Sequence, residues 1–300
     1  MDDQGSAGTL RRIMRYPATL LVLSIFAAFV AGMLATLVNS AFGPHKGDVV
    51  AVLIAIIAAA IFVAVYAAFC LVVEGRPVRE FALNGAVAEL GAGLGIGLVL
   101  FSSVVAVIAL FGGYRVIGYH DASVLIPVLG ISIVSGFTEE IMLRGWFFRL
   151  TEKWLGSWAA LALSAALFGA LHLGNPNATL LAGAAIALEA GIMLAAIYMI
   201  TRRLWAAIGL HAAWNFAQGG IYGIPVSGGA MDGILRSDIR GSDLLTGGAF
   251  GAEASLPAMV IATAFGIVLL IIAYRRGRFM APIWRRQRAE AERDLTETFG

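Results

Sequence analysis

Apolar runs long enough to cross a bilayer recur through this sequence, and they leave one class of fold open. About eight such runs fall at 17–39, 50–73, 88–112, 122–149, 157–173, 178–200, 203–219 and 256–274; a spanning helix needs about 20 apolar residues. In lipid every backbone polar group must be satisfied within a helix or a closed barrel. No barrel-type alternation of apolar and polar residues is visible. The expectation is therefore an all-α fold, a polytopic membrane bundle of about eight transmembrane helices. Composition agrees: 60% of the residues are hydrophobic and 13% are charged, about half the charged fraction of a soluble domain. The fifth and seventh runs are short and partly polar, which suits helices in the bundle interior. The fourth is long enough to tilt or to extend beyond the bilayer.

Loop charge orients the bundle. Basic residues cluster at Arg11, Arg12 and Arg15, at Arg76 and Arg79, at Arg149 and Lys153, and at Arg202 and Arg203. A last cluster comprises Arg275, Arg276, Arg278, Arg285, Arg286 and Arg288. These alternate with loops poorer in Lys and Arg, so the positive-inside rule predicts that both termini are cytoplasmic. The organisation that follows is a cytoplasmic segment at 1–16, a bundle at 17–274 and a charged cytoplasmic tail at 275–300. The Gly-rich 220–255 loop, with Asp232, Asp238, Asp243 and Glu253 against Arg236 and Arg240, is then the longest outside segment. The stretch 285–297 mixes charges and predicts an amphipathic helix near the acidic lipid surface.

No small-residue cleavage site follows the first apolar run, which predicts a retained helix rather than a signal peptide. Of 21 basic residues only Lys46 and Lys153 are lysine. That arginine bias, with abundant Ala and Gly, points to a GC-rich bacterial genome and a bacterial cytoplasmic membrane. Cys70 is the single cysteine, which excludes an intramolecular disulfide and a cysteine metal cluster. The expected partners are the lipid bilayer and a membrane-anchored protein or peptide; nucleic acid is not among them.

Inside the apolar runs stand a few polar residues. Glu139 and Glu140 are adjacent in the fourth, where a carboxylate at the bilayer centre costs roughly 2.5 to 3.5 kcal/mol. Adjacent helical residues point about 100° apart and cannot share a task. Glu140 and Arg144 are spaced i, i+4 on one face, with the acid first, the favourable order for an ion pair. Glu139 points elsewhere and is left free for chemistry. Phe168 precedes His172 by four residues, and His211 precedes Asn215 by four. A rise of about 1.5 Å per residue sets Glu139, His211 and His172 roughly 15, 12 and 22 Å from the cytoplasmic ends of their helices. All three lie in the middle band of a core about 30 Å thick. A carboxylate and two imidazoles at one depth fit a catalytic or metal-binding site.

Together the three motifs resemble the signature of the CPBP family, the type II CAAX-prenyl endopeptidases and their bacterial Abi relatives. That signature is Glu-Glu-x-x-x-Arg, then Phe-x-x-x-His, then His-x-x-x-Asn/Asp. Here it reads Glu139, Glu140 and Arg144; Phe168 and His172; His211 and Asn215. The resemblance implies an eight-helix intramembrane endopeptidase acting on a membrane-associated substrate. It also implies that Glu139 activates water with His172, while His211 and Asn215 stabilise the oxyanion. Eukaryotic relatives cleave near a C-terminal prenylated cysteine; in a bacterium, self-immunity, peptide maturation or regulatory proteolysis are the corresponding expectations. Glu139, His172 and His211 also form a plausible catalytic zinc set with an open fourth position. A metal-free glutamate mechanism accounts for Asn215 equally well, and the sequence holds no His-Glu-x-x-His helix.

Two other functional classes stay open. One is a non-catalytic membrane scaffold. The other is a proton- or metal-coupled transporter with Glu139, Glu189 and the histidines as a relay; inverted repeats often mark transporters, and none is visible. Glu189 falls in no motif and either lines a cavity or faces an Arg or His across the bundle. Gly91, Gly93, Gly95 and Gly97 predict close helix packing.

Overall fold

The computed structural model describes residues 13–42 and 48–299. The start of the expected N-terminal segment, with Arg11 and Arg12, lies outside the described residues. In chain order the principal elements are α1 (Pro17–Ala41), α2 (Asp48–Glu74), α3 (Ala86–Leu110), β1 (Tyr114–Tyr119), α4 (Ala122–Leu155) and α5 (Ser157–His172). They continue as α6 (Leu180–Thr201), α7 (Trp205–Asn215), β2 (Leu235–Ile239), α8 (Leu256–Arg275) and α9 (Ile283–Phe299).

The fold is a helical membrane bundle with little sheet, but the expected count of eight spanning helices needs correction. Among the described residues six helices, α1 to α4, α6 and α8, are long and apolar enough to cross a membrane. The other two apolar runs are helical but short: α5 has 16 residues and α7 has 11. Both fall short of the roughly 20 residues of a full-length span, although α7 runs on through the wide turns of Phe216–Ile221. α5 packs one face, with Phe168 and Gly169, against the bundle, and α7 packs inward on nearly every side. All of α7 except Trp205 and Ala212 is buried, and α6 is the most enclosed spanning helix, 61% buried over its apolar window against 11% for α1.

Small residues bring α7 against α3. A Cβ at Gly93 would stand 2.2 Å from the Ala206 carbonyl oxygen, and one at Gly97 would stand 2.4 Å from that of Leu210. Gly209 on α7 returns the contact, 2.4 Å from the Leu90 oxygen. Gly91 and Gly95 have open space at the same position. Residues 93 and 97 share a helix face and 91 and 95 another, so one pair of the four glycines makes the crossing. Without a hydrophobic drive between helices in lipid, this close backbone approach is what holds such a pair.

The 220–255 segment folds back onto the bundle. Ile224, Phe250, Ala252 and Ala254 join the same core as Phe101, Phe168 and Trp214. Its strand β2 pairs antiparallel with β1, Tyr114 opposite Ile239 and Tyr119 opposite Leu235, with an irregularity between Val116 and Gly118. This ribbon closes the end of the bundle away from the arginine-rich loops.

Gly93→Val is expected to overpack the α3–α7 crossing and to cost about 1–3 kcal/mol. Gly95→Ala is expected to be neutral or mildly stabilising. Thermal unfolding of the two variants in detergent checks this, and equal melting temperatures would contradict it.

Candidate active site

The helix that carries the paired glutamates changes its winding beside them. Regular turns end at Glu140, and wide π-type turns follow over Ile141–Phe148. Similar wide turns include Glu189, over Ala187–Gly191, and follow Asn215, over Phe216–Ile221. Such turns open the backbone hydrogen-bond ladder and re-aim side chains, and they are frequent at functional sites.

Glu140 and Arg144 are fully buried and paired, Arg144 Nη1 donating to Glu140 Oε1 at 2.9 Å. The other guanidinium nitrogen, Nη2, donates to the backbone carbonyls of Ala190 at 2.9 Å and Gly191 at 3.3 Å, tying α4 to the wide turn of α6. Glu140 has a second partner that spacing does not reveal: His211 Nδ1 lies 2.9 Å from the same Oε1. A carboxylate held by Arg144 can only accept, so the proton sits on Nδ1. The ring therefore presents Nε2 to Glu139, whose Oε2 is 3.9 Å away. The Glu139 side chain is 27% exposed, and that Oε2 atom is buried without a hydrogen-bond partner.

Phe168 gathers the other motif residues. Arg144 lies over its ring at 4.7 Å, a desolvated cation–π contact. His172 and His211 meet it edge to face at 4.8 and 6.1 Å. His172 Nδ1 lies 2.8 Å from the Phe168 carbonyl oxygen, which again fixes the proton on Nδ1 and leaves Nε2 as the free nitrogen. Asn215 Nδ2 donates to Ser135 Oγ at 2.9 Å.

Phe168, His172, His211 and Asn215 line one cavity with Glu189 and Glu253. It holds about 30 Å³ of space for water centres; one water needs roughly 10–15 Å³. Glu139 is not among the residues lining this cavity and meets the site beside the His211 ring, with no hydrogen bond or ion pair to His172 among the described residues. Glu189 resolves as a cavity residue, its Oε2 buried and unpartnered. Ser135 and Glu253 are additions to the residues picked out from the sequence. Ser135 precedes Glu139 by four positions and shares its face, a signal present in the sequence. Glu253 lies in the returning 220–255 segment, where no helical spacing marks it.

Residues 121–217, about a third of the chain, match the family model described as type II CAAX prenyl endopeptidase Rce1-like. This is a CPBP-family segment. It contains all three motifs and the whole hydrogen-bonded set around His211. The matched model describes a family of membrane proteases, and the six apolar helices fit a multi-pass membrane protein. No curated protein and no solved structure matches the chain.

A catalytic zinc site would draw on Glu139, His172 and His211. Both histidines offer a free Nε2, and Glu139 offers a carboxylate. Among the described residues, however, no three His, Cys, Asp or Glu side chains converge as ligands.

Glu253 lies outside the membrane-spanning helices. Burial pushes its carboxyl from 4.5 up to about 7, against the opposing effect of the Ser227 N–H that it accepts. A carboxyl so raised holds its proton more tightly in the folded chain. Its stabilising contribution is complete below about 4.5 and is lost as pH rises through about 7. Glu253→Gln is expected to remove that loss, so its stability relative to the wild type should grow with pH across this window. Unfolding temperatures at pH 4.5 to 8 test it, and parallel curves would contradict it.

Removing the cation has a larger effect. Arg144→Met leaves Glu140 buried and lacking its charge partner, a loss of about 3–5 kcal/mol. Arg144→Lys should restore little, because a point charge does not bridge a carboxylate and two carbonyls as a planar fork does. Denaturation of both variants in detergent provides the measurement.

Proposed function

We propose that this chain is an intramembrane endopeptidase that hydrolyses a peptide bond of a membrane-associated protein or peptide. The observation that carries the reading is the place of Glu139: a carboxylate oxygen buried without a partner, 3.9 Å from the Nε2 of an imidazole whose Nδ1 is held by a buried ion pair. In this reading Glu139 is the general base. It takes a proton from water positioned with His172, and the hydroxide attacks the scissile carbonyl carbon. The resulting oxyanion faces His211 and Asn215. The Asn215 amide carries two N–H groups, and one of them is engaged by Ser135. The second is free to donate. His211 donates from Nε2 in its doubly protonated form, since Nδ1 is committed to Glu140. Collapse of the intermediate breaks the C–N bond, and the proton held by Glu139 passes to the leaving amine.

The six apolar spanning helices and the family match support a multi-pass membrane location. In this reading the alternation of basic loops puts both termini in the cytoplasm, and the arginine bias with abundant Ala and Gly makes the setting a bacterial cytoplasmic membrane. The substrate in this reading is a membrane-anchored polypeptide, consistent with a site enclosed by apolar helices.

Glu139→Gln keeps shape and removes the base. Peptide-terminus proteomics of membranes carrying the wild type or Glu139→Gln should show a set of new C-termini that vanish in the variant, with cleavage slowed by about 10²–10⁴-fold. Asn215→Ala should slow the same cleavages about 10²–10³-fold. An unchanged set of termini in Glu139→Gln would overturn the assignment, provided the variant melts as the wild type does.

A further inference from the structure

A second polar cavity, of about 490 Å³, opens at the arginine-rich end of the bundle, roughly three turns along α4 from Glu139. Its cations come from several elements: Arg79 after α2, Arg149 and Lys153 near the end of α4, Arg202 between α6 and α7, Arg278 after α8, and Arg286 on α9. Only Glu80 and Glu152 oppose them on the wall. Both carboxylates are already engaged. Glu152 accepts from Ser157 Oγ at 2.6 Å and from the Arg202 guanidinium. Glu80 accepts from Arg76 at 3.0 Å. Arg149 is engaged too, its two terminal nitrogens on Glu74 at 2.8 Å each.

What remains is an excess of positive charge. Among the described residues Arg79, Lys153, Arg278 and Arg286 have no carboxylate within ion-pair distance. Arg286 spends one nitrogen on the Lys153 carbonyl at 2.6 Å, and its Nε is buried with no partner. Cations converging on one cavity without an anion repel one another, and a phosphate relieves that repulsion while accepting several hydrogen bonds.

The setting says which phosphate. An adjoining trough of about 360 Å³, lined by Leu155, Trp158, Pro282 and Trp284, shares Phe279 and Met280 with the polar cavity. Trp158 and Tyr274 both pack on the Phe279 ring, at 4.7 and 5.7 Å. Trp158 and Trp284 remain largely exposed. Aromatic residues of this kind gather at the level of lipid headgroups. A charged cavity opening into an aromatic and apolar trough has the shape of an amphiphile, whereas a free ion needs only the charged half.

We propose that this cavity binds the phosphodiester headgroup of an anionic membrane lipid, with an acyl chain lying along Trp158, Phe279 and Trp284. Basic pockets between helix ends bind anionic headgroups by this chemistry. The arrangement also gives α9 a role: Arg286 brings the amphipathic tail helix onto the bound lipid. The proposal does not depend on the peptidase reading.

The test uses the purified full chain in a neutral detergent. It is titrated with phosphatidylglycerol, with phosphatidylcholine of the same chains, and with inorganic phosphate, and bound molecules are counted by native mass spectrometry. Retention of phosphatidylglycerol over phosphatidylcholine, undisturbed by inorganic phosphate, is the expected result. Arg79→Gln and Arg278→Gln alter exposed side chains, so the fold is kept. Each should weaken phosphatidylglycerol binding roughly fivefold, and Arg115→Gln on β1 should leave it unchanged. Equal retention of the two lipids would overturn the proposal, as would undiminished binding in both variants. Inorganic phosphate that binds and displaces the lipid would overturn the lipid assignment in favour of a soluble phosphate ligand.

Discussion

A carboxylate and a guanidinium buried together in an apolar bundle constrain everything around them. Neither tolerates isolation, because desolvating a charge costs several kcal/mol unless a partner and hydrogen bonds offset it. Glu140 and Arg144 meet that condition with each other, and their remaining capacity then reaches outward. Arg144 takes the carbonyls of Ala190 and Gly191 and the face of Phe168; Glu140 takes His211. One ion pair thus ties α4 to α5, α6 and α7. It also decides which nitrogen of His211 is left to face Glu139. The two adjacent glutamates differ in burial and in partners because helical geometry turns them about 100° apart, and only one lies on the face that Arg144 shares.

Reaching that arrangement requires helices that approach closely. Gly93 and Gly97 let α7 lie with its backbone against α3, which brings His211 and Asn215 to the depth of the glutamates. Gly169 serves the α5–α6 contact in the same way, a Cβ there standing 2.2 Å from the Gly183 carbonyl oxygen, so that Phe168 and His172 face inward. In water such crossings follow from burying large apolar side chains. In lipid, burial against another helix gains little over burial against acyl chains, and the distance of backbone approach takes over. The polar residues sit where small residues allow the backbones to close.

Much of this was legible in the sequence. All eight apolar runs are helical, and the polar residues they carry converge. The count of spanning helices was not legible, because a run's hydropathy reports that it avoids water, not whether lipid or protein surrounds it. α7 is enclosed by protein and need not be long, while α5 buries one face against the bundle and leaves the other exposed. The Glu140–His211 contact joins residues 71 apart, and no local spacing encodes it. Glu253 is hidden for a different reason: it lies in a Gly-rich stretch with no helical period, so no face could be read. The β1–β2 ribbon was missed because a search for barrel-type alternation does not find two short strands far apart in the chain.

Charge is handled differently at two depths. Deep in the bundle the guanidinium of Arg144 has a carboxylate, two carbonyls and an aromatic face. Near the arginine-rich end, cations outnumber the carboxylates that face them. The difference follows from what each environment can supply. The apolar interior supplies nothing from outside, so its charges must be matched within the chain, and the match locks helices in register. The interface supplies water and lipid phosphates, so an excess of cations there is tolerable and becomes a means of holding the protein to its membrane. Glu74 marks the border, since it accepts both Arg76 and Arg149 and closes the interior network on the side where the unmatched cations begin.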